Sequence, residues 1–322
     1  MIVVYENTIL IKDYLFTIQE QLKQGNHCQF QPVKESNENV NDGIKYIKTI
    51  ANNVFSIIAL IDNTLACSSV STIQIINPSY DYHCDQVITH YNEPDGTLVS
   101  STEDFDILIG NHLIESAHDV DIKSIILLSN NRIASLSLEY TIKIWNSVNC
   151  SDIPITVLKE VDEDVACILY IKERDVMISG SSEGNFRIWD LSNYQCVSVI
   201  NDVFCHDTPF MKNNNALYQI DKDRVIVGGV QKIYIVNIDK CIIEDTVFND
   251  KFGIANCFLQ LRDANTFICG FDKGLLCLYN IETKKTIITI SDSKEDIYNL
   301  IKINEHSFVT YCSSNIVKLW KC

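Results

Sequence analysis

The stretch that decides the fold is Asn185-Phe-Arg-Ile-Trp-Asp190. Apolar and polar residues alternate through it, the period-2 pattern of a β-strand. It closes on a large ring followed by a small polar residue. The pattern returns along the chain as TIQIIN (Thr72–Asn77), FDILIG (Phe105–Gly110), TIKIWN (Thr141–Asn146), KIYIVN (Lys232–Asn237), LLCLYN (Leu275–Asn280) and IVKLWK (Ile316–Lys321). Its penultimate residues are Ile76, Ile109, Trp145, Trp189, Val236, Tyr279 and Trp320, spaced by 33, 36, 44, 47, 43 and 41 residues. Self-similarity at this interval marks a chain built from one repeated supersecondary unit.

The flanks of the pattern recur as well. Ahead of it lies a strand rich in small residues, as in VMISGSSEG (Val176–Gly184) and TFICGFDKG (Thr266–Gly274), as expected where sheets crowd toward an axis. Earlier still is an apolar strand, such as VACILYI or IANCFLQL, followed by a polar turn. After it comes a turn and a fourth strand, such as KTIITI (Lys285–Ile290). Four strands per repeat, seven times over, predict an all-β protein: a seven-bladed β-propeller of four-stranded antiparallel blades. The third strand ending in Trp189-Asp190 resembles the signature of WD-repeat (WD40) proteins, with Trp145-Asn146 and Trp320-Lys321 as divergent copies. The resemblance covers residues 44–322; residues 1–43 read as an N-terminal extension with a strand, a short helix after Asp13 and a polar linker.

The seventh repeat has no fourth strand of its own, whereas IKYIKTI (Ile44–Ile50) matches the fourth-strand pattern ahead of the first repeat. WD-repeat proteins usually close their ring with such a strand, so Ile44–Ile50 is expected beside Ile316–Lys321. The second blade is expected to be short, because only about twenty residues separate Asn77 from Thr97.

Composition narrows the function. The 322 residues carry 26 basic and 42 acidic side chains, a formal charge of −16. Such a surface repels phosphate backbones and anionic lipid, so the expected partners are proteins with basic or neutral segments, not nucleic acid. No run approaches a membrane span and no secretory signal stands at Met1–Leu10. With 13 cysteines and no CxxC pair, the thiols read as reduced, the location as cytoplasmic or nuclear, and no metal or cofactor is implied. Neither a nucleophile elbow nor a phosphate-binding glycine loop is present.

The resemblance implies two sets of residues. One is a hydrogen-bonded structural tetrad in the third blade: His118, Ser135, Glu139 and Trp145. The other is a partner-binding rim where the inner strands start: Asn53, Phe55, Asp121, Lys123, Asp164, Asp296 and Tyr298. There Phe55 and Tyr298 would accept a Lys or Arg side chain. The function read from this is a non-enzymatic interaction scaffold or adaptor. The alternative is a propeller hydrolase with a central metal, which would call on Asp121, Asp164 and Asp296.

Overall fold

A computed structural model describes residues 45–321 apart from 53–55, 60–64, 69–72, 77–90, 93–97, 102–103, 110–111, 150, 160–164, 182–183, 202–215, 249–252, 261–264, 292–293, 305–306 and 315. The N-terminal extension, residues 1–43, lies outside the described residues.

The described chain opens with β1 (Lys45–Asn52). The strands β2 (Ser56–Ala59), β3 (Leu65–Ser68) and β4 (Ile73–Ile76) then form a three-stranded antiparallel sheet. Five four-stranded antiparallel blades follow, each made of consecutive strands. The first holds β5 (Tyr91–Asn92), β6 (Leu98–Ser101), β7 (Ile107–Ile109) and β8 (His112–Ile114). Next come β9 (Ile122–Leu128), β10 (Arg132–Ser137), β11 (Thr141–Asn146) and β12 (Thr156–Lys159). After them come β13 (Val165–Ile171), β14 (Val176–Ser181), β15 (Phe186–Asp190) and β16 (Gln195–Ile200). Then follow β17 (Leu217–Gln219), β18 (Arg224–Gly228), β19 (Lys232–Asn237) and β20 (Ile242–Phe248). The fifth is β21 (Ala255–Gln260), β22 (Thr266–Phe271), β23 (Leu275–Asn280) and β24 (Lys285–Ser291). The last sheet joins β25 (Ile297–Asn304), β26 (Ser307–Cys312) and β27 (Ile316–Lys321) to β1.

The protein is therefore an all-β propeller of four-stranded antiparallel blades, with one correction to the expected count. Among the described residues, five blades, not seven, are complete units of four consecutive strands. The first repeat keeps three described strands, because β5, the strand described between Asn77 and Thr97, pairs with β6 and so belongs to the following blade. The last repeat takes its fourth strand from the other end of the chain. There β1 runs antiparallel to β27 from Lys45 opposite Lys321 to Asn52 opposite Ile316, two residues beyond the stretch expected from Ile44–Ile50. A smaller correction concerns Ile109, which pairs with Val99 as Ile144 pairs with Ala134. In the short blade the strand register thus places Ile109 at the position of Ile144 and not of Trp145.

The inner strands follow one another side by side in the order β5, β9, β13, β17, β21, β25, β2. The core lies between blades, not within them. Alternate residues of a strand face opposite neighbours, so Ile133 packs toward the preceding blade with Val99, Ile107 and Trp145. Its neighbour Ala134 packs toward the next blade with Val165, Met177 and Trp189. The same alternation sends Val225 and Val227 to the cluster of Phe186 and Ile188, and Ile226 to that of Phe258 and Phe267. Full burial of each such side chain is worth roughly 1.5–3 kcal/mol.

The small residues of the second strands are required by this crowding. A Cβ on Gly228 would stand 2.1 Å from the Ala255 carbonyl oxygen of the next blade, and one on Gly270 would meet Cys257 Sγ at 2.6 Å and Ile297 Cγ2 at 2.8 Å. At the opposite end of the sheets, Arg132 is buried and ties two blades together. Its guanidinium donates to both Asp175 oxygens at 2.9 and 3.0 Å and to the Leu191 carbonyl at 2.7 Å. Tyr170 adds its hydroxyl to the same carboxylate at 2.8 Å.

Three blades fasten the large ring of the third strand in the same way. The indole N–H groups of Trp145, Trp189 and Trp320 donate to Ser135, Ser179 and Thr310, each ten residues earlier, at 2.8, 2.9 and 3.0 Å. In the blade of β21–β24, Tyr279 takes the Trp position and Cys269 the hydroxyl position. The Tyr279 hydroxyl is buried and has no hydrogen-bond partner among the described residues, and burial pushes its pKa up to about 12.

Two outcomes follow. Replacing Tyr279 by Phe removes an orphaned polar atom at constant ring volume and is expected to raise stability by about 1 kcal/mol in urea unfolding; a loss of stability would mean the hydroxyl has a partner. Deleting residues 1–52 uncovers the β27 edge and is expected to lower the melting temperature by several degrees and promote aggregation on light scattering. An unchanged melting curve would show that the β1–β27 pairing carries no stability.

Candidate functional site

The candidate site is the end of the propeller where the inner strands begin and the second strands turn into the third. Five of those turns have the same length: Ser101 pairs with Ile107, Leu136 with Ile142, Gly180 with Phe186, Gly270 with Leu276 and Tyr311 with Val317, with five residues between each pair. The turn Ser137–Thr141 packs on the segment that leads into β9. Leu138 N donates to the Asp121 carbonyl at 2.9 Å, and Ser137 Oγ donates to the Val120 and Asp121 carbonyls at 3.1 and 3.0 Å.

Below this turn the structure brings together His118, Ser135, Glu139 and Trp145. His118 is 1% exposed; its Nε2 lies 2.7 Å from Ser135 Oγ and its Nδ1 2.7 Å from Glu139 Oε1. The donor order follows from the chemistry. Indole can only donate, so Ser135 Oγ accepts from Trp145 and passes its own proton to Nε2. The imidazole proton then sits on Nδ1 and is donated to Glu139. Every member is satisfied with His118 neutral, and burial indeed lowers the His118 pKa below 6.5. Burial alone would raise the Glu139 pKa. Hydrogen bonds from Thr141 and His118 and the nearby Lys143 charge outweigh it and hold the carboxyl at about 2. An imidazole so enclosed has no lone pair left for proton transfer to a substrate.

The rim residues fare differently. Asp121 is exposed. Lys123 turns inward, its Nζ donating to the Ala166 carbonyl of the next blade at 3.1 Å. Asp296 Oδ1 accepts from Lys273 N at 3.0 Å, so this carboxylate holds the turn of the preceding blade. Tyr298 meets Tyr311 of its own blade edge-on at 6.2 Å. Asn53, Phe55 and Asp164 lie outside the described residues, so the pairing of Phe55 with Tyr298 does too. Among the described residues, no three His, Cys, Asp or Glu side chains are placed to hold a metal ion, and no helix is long and apolar enough to cross a membrane.

Polar side chains at the turn's second position have a job that sequence reasoning missed. Asp272 Oδ1 accepts from Ile254 N at 2.9 Å, and Ser313 Oγ accepts from Asp296 N at 3.0 Å, each pinning the start of its own blade's inner strand. Ser313 also donates to Glu295 Oε2 at 2.9 Å. In the blade of β9–β12 the equivalent residue is Leu138. Only the register, which aligns the turns residue by residue, reveals the substitution.

No protein-family model matches the chain. It is similar to Elongator complex protein 2 of Saccharomyces cerevisiae (strain ATCC 204508 / S288c), with 23% identity over 188 residues, 56% of this chain and 21% of that protein. The match thus spans about a fifth of the relative's length. The blade topology, the Trp-to-hydroxyl contacts and this similarity define the class of the fold: a WD40-type β-propeller.

The Glu139–His118 pair makes stability depend on acid. Both folded-state pKa values lie below their ordinary ones, so both contributions are complete above pH 6.5 and decline as pH falls. The His118 contribution fades first, below 6.5; that of Glu139 fades between 4.5 and about 2. Thermal melts of Glu139→Gln are expected to lose the lower step and to extend the upper one to lower pH, because Glu139 holds the His118 pKa up against burial. Identical pH profiles for the variant and the parent protein would refute the pairing.

Proposed function

We propose that the protein is a non-enzymatic interaction scaffold or adaptor: a rigid propeller that presents its inner-strand end to segments of other proteins. One observation carries the reading. The one histidine described at this end and two of its carboxylates are engaged by the fold itself: His118 between Ser135 and Glu139, Asp296 on Lys273, Asp272 on Ile254. What remains toward solvent is a rigid surface of loops, which suits recognition better than turnover. The hydrolase alternative needs carboxylates converging on the channel with free lone pairs, and Asp296 is already engaged. The relative's name, a protein of the Elongator complex, supports a place in a multi-protein assembly.

On this reading the partner segments are basic or neutral, matching the formal charge of −16, and the protein works inside the cell, in cytoplasm or nucleus, with its thiols reduced. On the same reading the ring is completed as seven blades, the three-stranded first sheet and the short second blade included. The order of inner strands from β5 round to β2 supports this closure.

Affinity purification of the full chain from its native cells, after mild cross-linking, tests the function. The expected result is one or more proteins recovered at near-equal molar amounts and stable to physiological salt. Recovery of the chain alone, with hydrolytic activity that rises on adding a divalent metal, would replace the scaffold reading by the alternative.

A further inference from the structure

We infer that the inner-strand end of the β5–β8 and β9–β12 blades is a docking surface for a short protein segment that alternates basic and apolar residues. The inference rests on the scaffold reading and adds the site and the chemistry of its occupant.

The first observation is backbone strain. In the four five-residue turns whose fourth residue is described, that residue adopts a left-handed conformation: Phe105 at φ 65°, Tyr140 at 62°, Gly184 at 93° and Gly274 at 70°. Glycine takes this conformation without a steric cost, whereas a bulky L-residue loses about 1–2 kcal/mol there. Two adjacent blades therefore carry an aromatic ring where two others use glycine. Both rings are half-buried and so present part of their surface to solvent at this end. The two turns are linked, because His118 N, at the foot of the second, donates to the Phe105 carbonyl at 3.2 Å.

The second observation is exposed apolar surface beside those rings. Leu138 is 43% exposed and stands where the corresponding Asp272 and Ser313 side chains pin a loop. All three turns also donate the backbone N–H of this residue to the inner-strand start, and in the Leu138 turn Ser137 Oγ takes over the side-chain pin, so the leucine side chain is not needed for it. Val120, whose carbonyl accepts from Ser137, is 37% exposed next to it. An exposed apolar patch framed by polar groups is the usual mark of an interaction site.

Charge identifies the occupant. Asp104, Glu115, Asp119 and Asp121 are all exposed around the patch. The two lysines nearby are drawn inward, Lys123 to the Ala166 carbonyl and Lys143 to the Ala117 carbonyl at 2.8 Å. The outward field is therefore negative around an apolar centre. A segment with Lys or Arg between Leu, Phe or similar residues meets both features, while anionic lipid and nucleic acid are repelled.

The test uses the full chain and a phage-displayed library of random 12-residue peptides, with the enriched peptides then synthesised and measured by fluorescence anisotropy. Enriched sequences are expected to alternate basic and apolar residues. The double variant Leu138→Ser, Tyr140→Gly should bind them at least about tenfold more weakly with its net charge unchanged. Asp119→Asn, Asp121→Asn should weaken binding and flatten its salt dependence. Phe105→Gly and Tyr140→Gly should each melt at or above the parent temperature, since they relieve strain. Enrichment of peptides without this pattern, no enrichment, or equal affinity for Leu138→Ser, Tyr140→Gly would overturn the proposal. A clear drop in melting temperature for the glycine variants would do so too, by showing that the rings serve the fold. Partners recovered from cells that stay bound to the double variant would remove this surface and leave the scaffold reading intact.

Discussion

Every central strand of this propeller serves two interfaces at once, and the rest of the structure depends on that. A β-strand has two faces, and here neither is spare: Ile133 and Ala134 belong to different cores, as do Val225 and Ile226. Stability is therefore distributed over the junctions between blades, close to a sum of nearest-neighbour terms. It also explains why blades tolerate such different contents. Trp over Ser or Thr and Tyr over Cys fill the same place, provided the volume reaching the neighbour is kept.

That tolerance decided what the sequence made legible. Alternation in the third strands and the recurring Trp or Tyr exposed the strands and their order, because one face of those strands is less buried than the other, whereas second strands buried on both faces read as unbroken runs of apolar and small residues. The pairing of β1 with β27 was readable for the same reason: an outer strand has a recognisable pattern, and the last repeat lacked one. The tetrad members could be aligned because a buried indole and a buried imidazole must both find partners. The count of complete blades was not readable, since two-residue β5 leaves almost no pattern and its allegiance is settled only by its pairing with β6.

The rim was the least legible part. Asp121 and Asp296 share a sequence position relative to their strands, yet one faces solvent and the other holds a neighbouring turn, while Lys123, two residues after Asp121, holds a neighbouring carbonyl. These differences arise from contacts between blades forty residues apart, which no local pattern encodes. The Arg132–Asp175 tie is of the same kind. Conversely, the positive φ of Phe105 and Tyr140 violates local preference and so is invisible to any reading based on preference. Departures from local rules tend to gather where a protein does something other than fold.

The strand borrowed by the last sheet also sets a timetable for the making of this protein. Its partner β27 leaves the ribosome more than two hundred and sixty residues after β1, a wait of roughly a quarter of a minute to a minute at ordinary synthesis rates. Throughout that interval Lys45–Asn52 must stay unpaired while intervening blades assemble around it. A nascent chain in this state offers neighbouring polysomes a ready template for mispairing, so quality-control factors that shield extended segments have their greatest opportunity at the start of this protein's life and none once its ends have met.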